Sequence, residues 1–414
     1  MSSRHFRIAR PQLAVLVAAS VGASAAAQYR ITNLVSDGKI PAAHTDPNLV
    51  NPWGIVFNPA GFVWVSDNAT WVSTLYNGDG VPQSLVVSVP SAQGPFDGTP
   101  TGIVFSGSAT DFPVTDGTNT APARFIFASQ DGTISGWAPG VPPPPPSTQA
   151  FVTIDDSLEL ANYTGLALGQ TGVGPRLFTV DFYNKRIEAY DGAWADVKLD
   201  AGFMDPDLPA DYAPFNAAVI DGTVYVAYAK SDGSDEVPGP GLGLVDQFDF
   251  DGKLLRRFAT GGALNAPWGL AKAPDDFGIL GGAILVGNFG DGVVNAYDPV
   301  TGDFIRALRD YTGRTIVSEG LWGIAFGNGI LSQPLNTLFF AAGPADETQG
   351  LYGRIDPLPL GDLNGDGIVD GADLGLLLGD WGPCPVKGLC PGDLNDDGEV
   401  DGADLGILLG NWTG

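Results

Sequence analysis

A short apolar pattern recurs along this chain at intervals of roughly 50 to 60 residues. Residues 51–57 read NPWGIVF, and related segments begin at 100, 163, 267 and 321, each with an aromatic residue or Thr, then Gly, then an aliphatic run. A sixth copy at 214–220, PFNAAVI, has Ala in place of the Gly. Repeats of this length indicate a supersecondary unit that buries its faces only by stacking on its neighbours.

Each copy is followed by further Val-, Ile-, Phe- and Tyr-rich runs between Gly, Asp, Asn and Pro clusters, which is typical of an all-β fold. Three to four strands in each of six units predict a six-bladed β-propeller over residues 28–356. A pair of β-sandwiches or a β-helix is the alternative. The last unit lacks an outer strand and Arg30–Val35 is a spare strand, so we expect the N-terminal strand to close the last blade.

Two acidic loops near the C-terminus, residues 362–373 and 393–404, match the calcium loop of an EF-hand position by position. Calcium takes roughly six to eight oxygen ligands. The sixth residue of each loop is Gly, which permits the sharp turn there. The predicted ligands of two calcium ions are Asp362, Asn364, Asp366, the carbonyl of Ile368, Asp370 and Asp373 in the first loop, and Asp393, Asn395, Asp397, the carbonyl of Glu399, Asp401 and Asp404 in the second.

A stripe of apolar residues at helical spacing follows each loop. The stripes are Leu374, Leu377, Leu378 and Trp381, and Leu405, Leu408, Leu409 and Trp412. We expect two short helices whose stripes pack together. Because residues 361–414 carry 11 acidic residues and one basic residue, we also expect folding here to require calcium. The alternative is a solvated Asp/Gly-rich tail that matches by chance.

The paired loops and helices resemble a type I dockerin. The resemblance implies a small α-helical, EF-hand-like dockerin domain over residues 361–414, joined to the propeller by a linker at 357–360. It also implies calcium-dependent binding to a cohesin-like protein. Cys384 and Cys390 flank the link between the repeats and could form a disulfide in an oxidising compartment. A redox pair or a metal site is the alternative for these cysteines.

Segments such as VSDN and TVDFYN resemble NHL and gluconolactonase-like propellers, and LVNPWGI at 49–55 resembles the blade starts of an uncharacterised family of secreted bacterial six-bladed propellers. Polar residues near the Gly motifs form a possible ligand site at the channel mouth. They are Asn51, Asn162, Asn216, Asn265 and Glu319. Such groups can hold a metal ion, a carbohydrate hydroxyl or another small molecule, but Asn before a strand is also a common turn residue. The lactonase resemblance implies a divalent cation here.

The N-terminus predicts export. Arg4, Arg7 and Arg10 precede the short apolar run Leu13–Val21, and a small-residue cleavage site ends at Ala27. We therefore interpret residues 1–27 as a cleaved signal peptide and expect a secreted, extracellular or cell-surface protein. A membrane anchor is the alternative, but the run is shorter than the roughly 20 residues that span a bilayer. We expect no transmembrane segment in the mature chain.

The charge balance and the histidine count disfavour two classes of function. The chain has 47 Asp and Glu against 20 Lys and Arg, and a formal charge of −27 disfavours binding to nucleic acid. His44 is the one histidine beyond the predicted signal peptide, which excludes a multi-His zinc site. No acid–base pair stands out.

The leading hypothesis is a secreted, non-catalytic calcium-binding protein. Its propeller binds a ligand or a protein, and its dockerin-like module attaches it to a cohesin-type partner in extracellular polysaccharide degradation. The alternative is a metal-dependent hydrolase or lactonase acting in the propeller channel. A purely structural surface protein is the third possibility.

Overall fold

The computed structural model describes residues 29–385 and 390–414 and shows a β-propeller followed by a small two-helix module. The prediction of six blades is confirmed, because six sheets succeed one another along the chain and each inner strand contacts the next in a closed ring. The predicted signal peptide lies outside the described residues. No helix in the described ranges is long and apolar enough to cross a membrane.

The first half of the propeller contains the N-terminal strands and three blades. The N-terminal strands are β1 (Tyr29–Ser36) and β2 (His44–Thr45). Blade 1 contains β3 (Pro52–Phe57), β4 (Val63–Asp67), β5 (Val72–Tyr76) and β6 (Val87–Ser88). A hairpin of β7 (Pro90–Ser91) and β8 (Gly94–Asp97) follows. Blade 2 contains β9 (Pro100–Phe105), the inserted hairpin β10 (Pro113–Thr115) and β11 (Thr120–Pro122), β12 (Phe125–Ser129), β13 (Thr133–Trp137) and β14 (Phe151–Asp155). Blade 3 contains β15 (Tyr163–Thr171), β16 (Gly174–Asp181) and β17 (Arg186–Asp191).

The second half contains the remaining three blades. Blade 4 contains β18 (Tyr212–Ile220), β19 (Thr223–Lys230), β20 (Leu244–Phe248) and β21 (Leu254–Thr260). Blade 5 contains β22 (Pro267–Lys272), β23 (Ile284–Asn288), β24 (Val294–Tyr297) and β25 (Phe304–Ala307). Blade 6 contains β26 (Leu321–Phe326), β27 (Leu338–Ala342), the short helical segment α1 (Pro344–Glu347) and β28 (Leu351–Pro357). Three 3-10 turns lie at Asn68–Thr70, Ser157–Glu159 and Gly278–Leu280.

The N-terminal strand β1 closes the propeller ring through backbone hydrogen bonds to blade 6. Strand β1 runs antiparallel to β28, from Tyr29 opposite Pro357 to Ser36 opposite Leu351, so blade 6 contains both ends of the propeller sequence. This confirms the predicted closure. The hydrophobic cores lie between neighbouring blades: Ile55 of blade 1, for example, shares a core with Phe339 of blade 6.

The repeated glycine allows adjacent inner strands to approach closely around the axis. A Cβ atom on Gly54 would lie 2.6 Å from the carbonyl oxygen of Thr101 in the next blade, and one on Gly323 would lie 2.5 Å from that of Trp53. Blade 4 differs, because Asn216 occupies this place and its side-chain amide donates a hydrogen bond of 2.9 Å to the carbonyl of Trp268. The prediction that Ala replaces the Gly in the copy at 214–220 is therefore wrong by one position, because the residue in place of the Gly is Asn216.

The C-terminal module, residues 361–414, contains two helices, α2 (Gly371–Gly379) and α3 (Gly402–Gly410), and two short strands, β29 (Gly382–Pro383) and β30 (Glu399–Val400). Its core consists of three pairs of residues, and the members of each pair are 31 positions apart. These pairs are Leu363 and Leu394, Val369 and Val400, and Leu377 and Leu408. The two repeats therefore bury equivalent side chains against each other, as expected of a pseudo-symmetric unit.

The prediction that both apolar stripes pack together is only partly correct. Leu377 and Leu408 are fully buried, but Trp381 and Trp412 remain 50% and 40% exposed. The adjacent Leu378 and Leu409 are also exposed. Leu374 and Leu405 pack against the same core, whereas Trp381 and Trp412 lie beyond the last residues of the helices, Gly379 and Gly410.

Candidate functional site

In the first acidic loop, the two end residues organise the backbone between them. Asp362 is fully buried, and its carboxylate accepts hydrogen bonds from the backbone N–H groups of Gly365 at 2.8 Å and Gly367 at 2.7 Å. Asp373, also buried, accepts from Leu363 at 2.8 Å and from Asp370 at 2.8 Å. The loop is therefore curled around its own carboxylates.

The second loop repeats this arrangement. Asp393 accepts from Gly398 at 2.9 Å, and Asp404 accepts from Leu394 at 2.8 Å and Asp401 at 2.9 Å. The central glycines have φ values of +93° at Gly367 and +101° at Gly398. A residue with a Cβ atom is strained at such angles, so the glycines are required by the turn.

The donor chemistry of the loops fits a hard divalent cation. Both present only oxygen ligands, and burial raises the pKa of Asp362, with smaller contributions from the charges of Asp373 and Asp366. Burial and the charge of Asp404 act in the same direction on Asp393. Within the described ranges, no group of three or more His, Cys, Asp or Glu side chains is gathered closely enough to hold a metal, because the carboxylates bond to loop amides.

Beside the loops, Cys384 and Cys390 form a disulfide with their Cα atoms 5.7 Å apart. Both cysteines pack against the core of the C-terminal module. Cys384 also contacts the second repeat, because its backbone N–H donates a hydrogen bond of 2.9 Å to the carbonyl of Gly398. The bridge thus connects the end of the first repeat to the start of the second.

The second candidate site is the propeller mouth at which the inner strands begin. Asn51 stands just before β3 with φ of +47°, a conformation that Asn tolerates. Its Oδ1 accepts from Trp322 Nε1 at 3.1 Å and its Nδ2 donates to Glu347 Oε2 at 2.6 Å. It also contacts Asn68, which donates to Gln130 at 2.9 Å, so a polar network crosses blades 6, 1 and 2.

Asn216 and Asn265, two more of the predicted mouth residues, do not line one open ring with Asn51. Asn216 lies deeper, at the glycine level of the inner strands. Asn265 accepts from the backbone of Gly239 at 2.6 Å and donates to Asp291 at 3.3 Å. Both amides therefore connect protein segments to each other.

Asn162 and Glu319 complete the predicted set. The backbone N–H of Asn162 donates to Asp181 at 3.1 Å, and its buried side-chain oxygen has no hydrogen-bond partner among the described residues. Glu319 is exposed and accepts from the backbone N–H of Ala345 at 3.1 Å. Glu319 is the member of the set with the freest access to solvent.

A cluster of aromatic rings closes the channel below the mouth. Trp53 stacks on Trp322 with 3.5 Å between ring centroids, and Trp268 lies edge-on to Trp322 at 5.8 Å. Phe215 and Phe289 pack against the same group. Beneath it lies a cavity of about 330 Å³ lined mainly by glycines and aliphatic residues of all six inner strands, together with Phe105, Trp268 and the polar Asn216. No Asp, Glu, His or Cys is among the residues that line this cavity in the described part of the chain.

Beside the aromatic cluster, blades 5 and 6 form an acidic pocket of about 460 Å³. Its carboxylates are Asp291, Glu319, Asp346 and Glu347. Burial raises the pKa of Glu347, the hydrogen bond from Asn51 opposes this, and the charge of Asp235 adds to it. Sequence reasoning missed Glu347, Asn68 and Gln130. A signal existed for the last two, because each follows the second strand of its blade at the same repeat position.

Substituting Glu236, which stands near this pocket, should change how stability depends on pH. Burial, then the hydrogen bond and charge of Asp235, raise the pKa of Glu236 from 4.5 to about 9. Between these values the folded state holds a proton that the unfolded chain releases, so stability falls as pH rises through this window. We expect Glu236→Gln to stabilise the protein at pH 8 by on the order of 1 kcal/mol and to change little at pH 4.

Thermal unfolding of both proteins at pH 4, 6 and 8 measures this difference. Asp276→Asn, at an exposed acidic residue, is the control. It should change the melting temperature equally at all three pH values or not at all. An equal effect of Glu236→Gln at pH 4 and pH 8 would contradict the buried, protonated carboxyl.

The fold and the two sites define a six-bladed β-propeller with a C-terminal paired-loop module. No protein-family model matches the chain. Uncharacterized protein R648 of Acanthamoeba polyphaga mimivirus is 31% identical over 338 residues, which are 79% of this chain and 80% of that protein. Uncharacterized protein L690 of the same virus is 30% identical over 341 residues, 80% of this chain and 86% of that protein. The chain belongs to the family of these uncharacterised proteins.

Among solved structures, a structural genomics protein of unknown function from Bacteroides thetaiotaomicron superposes with a TM-score of 0.50 at 12% identity. The match covers 79% of this chain and 76% of that one. At this identity the likeness concerns the fold alone. It agrees with the propeller read from the strand order.

Proposed function

We propose that this chain is an exported, calcium-binding, non-catalytic binding protein. The observation that carries the proposal is the pair of loops 31 residues apart, which share their oxygen donors, their internal hydrogen bonds and their glycines with positive φ. Two calcium ions would be held by oxygens of the predicted ligands, residues 362–373 and 393–404. The ions would neutralise the like charges in each loop and so stabilise the C-terminal module.

The second part of the proposal concerns attachment. The C-terminal module presents Trp381 and Trp412 at half exposure together with Leu376, Leu378 and Leu409. Exposed aromatic and aliphatic side chains grouped on one small unit mark a protein-binding surface. We propose a cohesin-like protein as the partner, and a role beside extracellular polysaccharide breakdown, by the resemblance to dockerins. Both loops carry Gly-Ala at positions 10 and 11, so we expect the exposed apolar side chains to provide most of the contact.

The propeller is proposed as the ligand-binding part. The acidic pocket beside the polar network of Asn51 is a concave surface near the channel mouth, and its carboxylates suit a ligand with hydroxyl or cationic groups. The channel below is narrowed by aromatic rings and lined mainly by apolar groups, with Asn216 as a polar lining residue.

Biolayer interferometry with the full chain and type I cohesins tests the attachment. We expect binding in calcium that is lost in EGTA, and a loss of at least about tenfold in affinity for Trp381→Ala/Trp412→Ala, since buried Trp residues dominate interfaces. Leu335→Ala, at an exposed apolar residue of the propeller, is the matched control and should bind like the parent chain. Binding that survives EGTA, or an unaffected double variant, would count against this mode of attachment.

A further inference from the structure

The C-terminal module lies against the part of the propeller where the ring closes. Its contacts come from the fourth position of each acidic loop, Gly365 in the first and Asp396 in the second. Both residues are in the left-handed region, with φ of +76° and +58°. The pseudo-symmetry of the module therefore brings two equivalent corners onto one surface of the propeller.

The second loop makes an ion pair with blade 5. Arg306, on the outer strand β25, places Nη2 2.8 Å from Asp396 Oδ2. The two side chains are only 17% and 25% exposed, so the pair is shielded from solvent compared with an ordinary surface pair. Asp396 is not among the predicted calcium ligands, so its carboxylate is available to the propeller.

The first acidic loop packs against the aromatic ring of Tyr311. A Cβ atom on Gly365 would lie 2.7 Å from Cδ1 of Tyr311, in the loop after β25, so Gly at this position allows close contact. The carbonyl of Gly365 also accepts a hydrogen bond of 3.5 Å from Arg30. Arg30 belongs to β1, the strand that closes the ring.

The start of strand β1 is held in position by non-covalent contacts of Tyr29 with blade 5. Tyr29 is fully buried, its backbone N–H donates to the carbonyl of Arg309 at 3.0 Å, and its hydroxyl donates to the carbonyl of Phe277 at 3.0 Å. The first residues of β1 therefore touch blade 5, the partner strand β28 and the C-terminal module. The module therefore contacts both the closing strand β1 and the neighbouring blade 5.

We propose that the C-terminal module is a calcium-dependent clasp that holds the propeller ring closed. The inference rests on the proposed calcium binding. Ordered loops present Gly365 and Asp396 to Arg30, Tyr311 and Arg306 at the same time, whereas loops loosened by charge repulsion lose this double contact. By linkage, whatever orders the loops stabilises the closing strand, and docking on the propeller strengthens calcium binding by the same factor.

Hydrogen exchange and calorimetry on the full chain test the clasp. In EGTA we expect exchange at residues 29–36 and 351–357 to accelerate about fivefold or more, with little change in the blade 3 strands. Asp396→Asn keeps the shape of the side chain but removes the ion pair, and Gly365→Asp installs the residue of the second loop against the Tyr311 ring. Both variants should weaken calcium binding about fivefold or more in calorimetry.

Arg176→Ala is the matched control, because Arg176 pairs with Asp251 at 3.1 Å between blades 3 and 4, away from the closure. It should leave calcium affinity and exchange of β1 unchanged. Calcium binding with unaltered β1 exchange, and with parental affinity in Asp396→Asn, would overturn the clasp and leave the proposed function intact. Absence of any calcium heat in the parent chain would overturn both.

Discussion

The double variant Asp362→Ala/Asp393→Ala is expected to lose both calcium sites and the ordered structure of the C-terminal module. Each residue is the first of its loop, is almost fully buried and accepts backbone N–H groups of the turn. Each substitution removes a proposed calcium ligand and leaves buried donors unpaired, which costs about 1–3 kcal/mol per group. A core of six buried aliphatic residues cannot compensate for such losses.

Titration calorimetry should show heat for two ions in the parent chain and none in this variant, while far-UV circular dichroism keeps the β signal of the propeller. Asp79→Ala/Asp380→Ala is the control, because it removes the same charge from exposed positions outside the loops. If the double loop variant binds two ions with parental affinity, the ligand assignment is wrong.

The second large effect is expected at the centre of the propeller. Trp322 is fully buried, stacks on Trp53 at 3.5 Å and on Phe289 at 4.1 Å, and donates to Asn51. Trp322→Ala leaves a cavity and an unpaired amide oxygen, so we expect a loss of about 3–5 kcal/mol in the free energy of unfolding. For a domain of this size that corresponds to a lowering of Tm by about 5 to 10 °C.

Thermal unfolding in saturating calcium measures this loss separately from the C-terminal module. Trp71→Ala is the control, since Trp71 is 47% exposed and should shift Tm by less than about 2 °C. Equal melting temperatures for the two variants would show that the aromatic cluster does not support the ring.

Several elements followed from sequence because their interactions are local or repetitive. The blade number follows from the period of the glycine motif, and the structure gives the reason for the glycine: the inner strands meet there too closely for a side chain. The two helices follow from periodicity, and each begins at an N-cap Asp, Asp370 and Asp401, whose side chain accepts the N–H of the residue two positions on.

Other expectations changed because packing decided them. The stripes on α2 and α3 have the spacing of a buried face, but their burial is uneven. Leu377 and Leu408 are fully buried, Leu374 and Leu405 pack against the same core, and both Trp residues remain partly exposed. The polar residues before the blade motifs have similar sequence positions, yet Asn216 sits at the glycine level and Asn51 at the mouth. Asn216 stands three positions further along its repeat than Asn51, and this shift changes the depth and direction of the side chain.

By itself, the sequence determined the number of blades, the strand that closes them and the curled acidic loops. The blades and the closing strand follow from the repeat spacing and from the number of strands in each unit, although β1 pairs with β28 at the far end of the propeller sequence. The loops follow from local hydrogen bonds, such as those that Asp373 accepts from the backbone N–H groups of Leu363 and Asn364. Only the tertiary structure decided that Trp322 reaches Asn51, 271 positions away, and that Arg306 meets Asp396 across 90 positions. Such contacts arise when blades and loops pack in three dimensions, and no local period of the chain encodes them.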